Sequence, residues 1–147
     1  MWRNKRKVYA SYRYMKKGYK GSIEKLALAN ENFRTVIYTA EHCQLVLMSL
    51  LPGEEIGVEV HKGGDQFFRF EKGTGKVEIN ETEYAVEGGD AVIVPMGARH
   101  NVINTSKTES LKMYTLYAPP HHRDGVVHHS KADAQADHEH FGGKITE

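Results

Sequence analysis

With 147 residues, 27% of them charged, and a formal net charge of only +1, the chain has room for one domain around a single core and carries no global field that would draw it to nucleic acid or a membrane. Its lone cysteine, Cys43, has no partner for an internal disulfide; within the apolar run CQLVLMSLL it reads as a small buried hydrophobe, not a nucleophile. No apolar run approaches the roughly 18–20 residues of a membrane span, and none follows the basic start MWRNKRK to make a secretory signal, so the expected location is cytoplasmic.

Residues 1–32 form the first section. The opening stretch is basic and rich in tyrosine (Tyr9, Tyr12, Tyr14, Tyr19), a composition that can stack on bases but reads more simply as a solvated arm or an edge piece laid on a partner subunit. Ser22 is placed to cap a short helix running to about Asn30, although Lys25 stands where a capping box would have a glutamate.

Residues 33–118 are nearly all strand and turn. Apolar or alternating runs cover Thr35–Thr39, Gln44–Leu51, Glu55–His61, Gln66–Glu71, Gly75–Ile79, Glu83–Val86, Asp90–Val94, His100–Asn104 and Leu111–Tyr117. Glycine, proline and asparagine punctuate them, at Pro52-Gly53, Gly63-Gly64, Asn80-Glu81, Gly88-Gly89 and Pro95-Met96-Gly97 among others. Many short strands at this spacing predict an all-β sandwich or barrel, and the absence of intervening helices argues against a parallel sheet.

Residues 119–147 change character. Pro119-Pro120 stops the last strand, and the tail carries six of the nine histidines: His121, His122, His128, His129, His138 and His140. Ser130 is placed to cap a second short helix reaching about Glu139. Val126 and Val127 are the tail's apolar anchor, expected on the barrel wall or across a dimer, and the histidines beside them are expected to titrate near the ordinary value of roughly 6.5. The tail reads as a partial cover that supplies no metal ligand.

The chemistry concentrates at Glu59, His61 and His100. Glu59 and His61 lie two apart in an alternating run, so a carboxylate and an imidazole share one strand face. After the Gly63-Gly64 turn, Asp65 and Gln66 compete for the same face on the next strand. An inward Gln66 carries Phe68 and Phe70 into the core; an inward Asp65 carries Arg69. Burying two phenylalanines is cheaper than burying an unpaired guanidinium, so parity favours Gln66 over Asp65. On a later strand an inward His100 brings Val102 and Asn104 with it and turns Arg99 away. One carboxylate, two imidazoles and an amide oxygen suit a divalent zinc, manganese, iron or nickel ion, and the lack of thiolate disfavours a closed structural zinc site. Glu55, Asp65 and Arg99 are weak candidates for a separate acid or base because they lie off the inward register. Tyr84, Tyr114, Tyr117 and Met96 are candidates for the pocket mouth, with core or interface positions the simpler alternative.

These segments read G-x5-E-x-H-x4-Q-x6-G, on Gly53, Glu59, His61, Gln66 and Gly73, and G-x5-P-x-G-x2-H-x3-N, on Gly89, Pro95, Gly97, His100 and Asn104. They resemble the two conserved-barrel motifs of the cupin superfamily, with the short spacer of its single-domain members. The second motif fits throughout; in the first, Glu59 replaces the usual leading histidine and Gln66 the usual glutamate. The resemblance implies a double-stranded β-helix (jelly-roll) barrel with short N- and C-terminal helical pieces, a divalent metal on Glu59, His61, Gln66 and His100, a small-molecule ligand and a homodimer. The superfamily spans dioxygenases, decarboxylases, isomerases, epimerases and non-catalytic binders. Phosphomannose isomerases, which are cupins, use the same four ligand types in another order. A sugar-phosphate isomerase and a non-catalytic binder are therefore alternatives to a metalloenzyme acting on a small polar or carbohydrate-like molecule.

Overall fold

Alternating apolar and polar residues, interrupted every few positions by a turn-former, yield short strands that can each bury one face. The protein is described here by a computed structural model covering residues 15–147, so Tyr9, Tyr12 and Tyr14 of the basic arm lie outside the described residues. Helix α1 (Ile23–Ala29) precedes β1 (Arg34–Thr39), β2 (Gln44–Leu50), β3 (Glu59–Val60), β4 (Asp65–Lys72) and β5 (Thr74–Ile79). Then come β6 (Thr82–Glu87), β7 (Ala91–Val94), β8 (Arg99–Asn104), β9 (Leu111–Ala118), β10 (Val127–His128) and helix α2 (Lys131–Ala136). One sheet has the order β10-β1-β2-β9-β4-β7 and the other β3-β8-β5-β6, and the strands pair antiparallel. This two-sheet arrangement is the double-stranded β-helix that the motifs imply.

The core lies between the sheets, where Met48, Leu50, Phe68, Phe70, Leu111 and Met113 meet Val77 and Val102. On β4, Gln66, Phe68 and Phe70 are buried while Phe67 and Arg69 are half-buried on the opposite face, so Asp65 stays outside and the parity argument holds. Asn104 plugs the end of the barrel: its amide N–H groups donate to the carbonyls of Leu50, Leu51 and Glu109, and its Oδ1 accepts from the Ser106 N–H. Gly64 permits a close crossing, because a Cβ there would lie 2.6 Å from the Ala118 carbonyl oxygen.

Several elements differ from the sequence expectations. The run Glu55–His61 is not one strand; Gly57, at φ 111°, breaks it into a bridge between Glu55 and Ile103 and the short β3. Asn101 holds the break by accepting the Gly57 N–H and donating to Glu55. Ser22 precedes α1 but makes no side-chain cap bond, whereas Ser130 caps α2 in a reciprocal capping box with Asp133. That helix ends at Ala136 instead of near Glu139, because the backbone of Asp137 is extended.

The tail is part of the barrel wall. Its strand β10 pairs with β1 at Arg34↔His128 and Thr35↔Val127, which two residues of alternation could not announce. Val126 is buried in the core cluster, while Val127 stays exposed. Gln44, fully buried on β2, clamps the tail with three hydrogen bonds and anchors itself to β1 with a fourth: Nε2 donates to the His122 carbonyl and to Thr39 Oγ1, and Oε1 accepts from the His121 and His122 N–H groups.

Candidate metal centre

Glu59 and His100 face each other directly across the β3–β8 pair, which sets their side chains on the same side of the sheet. His61 follows two residues after Glu59, and its backbone carbonyl is fixed by the Gly97 N–H of the Pro95–Gly97 turn. The same turn is tied to the β3–β4 loop by Asp65, whose Oδ1 accepts the Met96 N–H at 2.8 Å. Asp65 is therefore a loop fastener on the outer parity of β4, and the alternative that it points inward is set aside.

Glu59 Oε2 lies 3.2 Å from His61 Nε2 and 4.0 Å from His100 Nε2, and the three groups present ligand atoms within 4.8 Å of one another. Donors held by one ion at about 2.1 Å stand roughly 3.0–3.4 Å apart, so the cluster is near the required size. Neither imidazole Nε2 has an aligned hydrogen-bond partner, although both are buried. For His100 the reason is plain: Nδ1 donates to the Ala98 carbonyl at 2.9 Å, which leaves Nε2 as a free lone pair aimed at Glu59. Gln66 is also buried, and its Nε2 donates to Thr115 Oγ1 at 3.0 Å while Oε1 has no partner. Orphaned buried acceptors of this kind are costly unless something positive completes them, and a divalent cation fits the set. Burial works to raise the pKa of Glu59, but its contact with His61 and the positive charge of Arg34 outweigh it, so the carboxylate is held below its usual range.

Beside this cluster the tail builds a second polar group that the sequence did not announce. Glu139 Oε1 is 2.6 Å from His122 Nδ1, its Oε2 accepts the Arg123 N–H, and His122 Nε2 is 3.2 Å from Tyr117 Oη. With Nδ1–H donating to the carboxylate, Nε2 accepts from the tyrosine hydroxyl, giving a buried carboxylate–imidazole–phenol chain that ends near His61. Burial, aided by the negative charge of Glu59, raises the Tyr117 pKa. Burial also lowers His122 despite Glu139, and burial with the neighbouring His122 and His61 lowers His121 to about 4. The expectation that the histidines on either side of the valines titrate at ordinary values therefore fails for these two: His122 is docked out of water, and His121, though still partly in solvent, packs its ring against His61, Tyr117 and His122.

Two cavities flank the cluster. A mouth of about 420 Å³ is lined by His61, Gly64, Asp65, Tyr117, Pro119 and His121. A second, mostly polar space of about 200 Å³ lies between α2 and the barrel, bordered by Arg34, Glu59, His122, Lys131, Asp137 and Glu139. Among the mouth candidates, Tyr117 lines this opening; Tyr84 and Met96 are exposed elsewhere, and Tyr114 packs near Phe67. Among the described residues, the tail contributes nothing to the convergent cluster of Glu59, His61 and His100. The only sequence signal for the clamp was Gln44 itself, which shares its parity with Val46, Met48 and Leu50 in an otherwise apolar run.

A double-stranded β-helix with a carboxylate and two imidazoles converging at one end defines a small barrel protein with a candidate metal centre. The chain belongs to the cupin family: the Cupin domain model matches residues 46–117, spanning β2 to the end of β9. It is 45% identical over 121 residues to the uncharacterized protein YrkC of Bacillus subtilis (strain 168), a match covering 78% of this chain and 64% of YrkC, so it spans a little under two thirds of that relative. An uncharacterized protein of Acanthamoeba polyphaga mimivirus is 39% identical over 109 residues, covering 72% of this chain and 68% of the viral protein. The crystal structure of BH2720 from Bacillus halodurans superposes with a TM-score of 0.81 at 38% identity, covering 84% of this chain and 98% of that one. No helix among the described residues is long and apolar enough to cross a membrane.

Proposed function

We propose that this cupin binds one divalent metal ion through Glu59, His61 and His100, with Gln66 Oε1 as a fourth ligand, and uses it to act on a small polar molecule. The observation that carries this reading is the convergence of Glu59 Oε2 with the two unpartnered imidazole Nε2 atoms. A bound zinc, manganese, iron or nickel ion supplies Lewis acidity toward a carbonyl or hydroxyl, or an activated water. The chain's own residues orient that chemistry. Ala98 sets the His100 tautomer, Thr115 fixes the Gln66 amide, and Tyr117, held protonated, offers a hydroxyl beside His61. The small molecule enters by the mouth between the β3–β4 loop and His121.

The test is metal content of untagged protein by emission spectroscopy, beside a His61→Ala/His100→Ala double variant. One ion per chain in the wild type and none in the folded double variant is the expected result. Equal content in both would place the ion on the tail histidines and refute the assignment. Turnover assays with the identified metal then separate an enzyme from a non-catalytic binder. A second copy of the chain is the proposed partner: β6 and β7 are sheet edges, and Tyr84 on β6 and Ile93 on β7 are exposed. A monomer by light scattering at micromolar concentration would remove that partner.

A further inference from the structure

Of the four ligands proposed for the ion, three have their ligand atom sealed from solvent: His61 Nε2, His100 Nε2 and Gln66 Oε1 are buried without a partner. Glu59 differs. Its side chain is 34% exposed, against 12% for His61 and 3% for His100. The two cavities divide in the same way. His61 lines the mouth, while Glu59 and His100 do not, and because His61 Nε2 is sealed the mouth meets another edge of that ring. His121 packs on the His61 ring at 4.6 Å between centroids and stacks on Tyr117 at 5.2 Å, which thickens the wall between mouth and cluster. The cleft beneath α2 is lined by Glu59 and by neither imidazole of the cluster. Glu59 is therefore the ligand that an incoming ion can touch first, and it is touched from the cleft.

The cleft suits a hydrated cation. Among the described residues, its lining sets three carboxylates, Glu59, Asp137 and Glu139, against two cations, Arg34 and Lys131. Arg34 is already engaged, bonded to His128 Nδ1 at 3.1 Å and lying over the Phe33 ring. Asp137 Oδ2 is 3.0 Å from His128 Nε2 and Glu139 Oε1 is 2.6 Å from His122 Nδ1, so the lone pairs left for an ion are mainly those of Glu59. At about 30 Å³ per water, the cleft of about 200 Å³ has room for an ion with a shell of six waters. Polar walls can stand in for part of that shell, whereas the mouth puts Val60, Tyr117, Pro119 and Pro120 in the way, and apolar surface offers a charged ion nothing in exchange for its water.

We infer that the cleft beneath α2 is the port through which the divalent cation reaches the cluster, with Glu59 as its first ligand, and that the mouth is not on its path. Transfer inward needs only that the Glu59 carboxylate turn, because Oε2 already stands 3.2 Å from His61 Nε2 and 4.0 Å from His100 Nε2. The inference rests on the metal-site reading and adds the ion's route to it.

Stopped-flow uptake of zinc by the chelator-treated full chain, followed with a fluorescent zinc indicator, tests it. Gln135 lies on α2, lines the cleft and is exposed, so Gln135→Lys and Gln135→Glu change the charge of the port without disturbing the core. Gly63 lines the mouth, and a Cβ added there meets nothing within 4 Å, so Gly63→Leu narrows the mouth alone. Near-ultraviolet circular dichroism confirms the fold of each variant. Gln135→Glu should take up zinc about tenfold faster than Gln135→Lys at low salt, with the wild type between them and the gap closing as salt screens the charge. Gly63→Leu should load at the wild-type rate. Equal rates in the two folded Gln135 variants would overturn the port, as would slowed uptake in Gly63→Leu. Zinc retained in full by the His61→Ala/His100→Ala double variant would instead refute the metal-site reading, and the port with it. Zinc lost from that double variant while both Gln135 variants load alike would refute the port alone.

Discussion

Replacing Gln44 by leucine, close to it in shape, removes the amide that joins the tail to the barrel. Four partners lose it at once: the N–H groups of His121 and His122, the His122 carbonyl and the Thr39 hydroxyl. The two acceptors are weak losses, since each can take another donor. The two N–H groups lose the acceptor they share, and leaving a buried donor unsatisfied costs about 1–3 kcal/mol. His122 is buried and carries the upper part of that range, whereas exposed His121 can turn to water and carries the lower part. The total is about 2–4 kcal/mol, a large share of the 5–15 kcal/mol typical of a domain. With a urea slope of about 2 kcal/mol per molar, the unfolding midpoint should fall by about 1–2 M. Amide exchange at His121, His122 and Val126 should accelerate, because undocking the tail relieves the unsatisfied groups locally. A midpoint shift under about 0.3 M with these amides still protected would refute the clamp.

Other consequences follow from the same contacts. Hydrogen bonds from His122 and the Arg123 N–H overcome burial, which acts to raise it, and hold Glu139 down to about 2, while burial lowers His122. Both groups bind protons more readily in the unfolded chain. The stability they contribute is present at pH 7, declines as pH falls below the unfolded histidine value of roughly 6.5, and declines again from about 4.5 toward 2. Melting curves of chelator-treated protein from pH 7 to 3 should show this, and Glu139→Gln should flatten the lower portion; an unchanged profile would contradict the pairing. Gly64→Ala would set a Cβ 2.6 Å from the Ala118 carbonyl oxygen and 2.7 Å from Pro119 Cδ. It should lower the melting temperature by several degrees, and a melt like that of the wild type would show that the crossing is looser than described. Ser130→Ala removes the side-chain half of the α2 capping box and should cost about 1 kcal/mol, read as faster amide exchange at Asp133 and Ala134.

Local rules carried much of this protein. Strand alternation and turn residues made the all-β class and most strand positions legible, because each is a short-range steric or solvation preference. Parity on β4 was decidable from the sequence, since one choice buries Phe68 and Phe70 and the other buries Arg69. The spacing of Glu59 and His61, with His100 just after Pro95-Met96-Gly97, was enough to nominate a metal cluster. What remained hidden depends on segments far apart in the chain. Arg34 and His128 meet because β10 adds to the sheet edge beside β1, and two residues of alternation give no pattern to find. His122, Glu139 and Tyr117 form one chain only because Gln44, some 78 residues before His122, pins the tail backbone in place. Burial then lowers the pKa of His121 and His122, a desolvation effect that no residue carries in its own identity. Local patterning specifies the barrel and its candidate ligands; docking of the tail, a long-range packing outcome, sets what surrounds them.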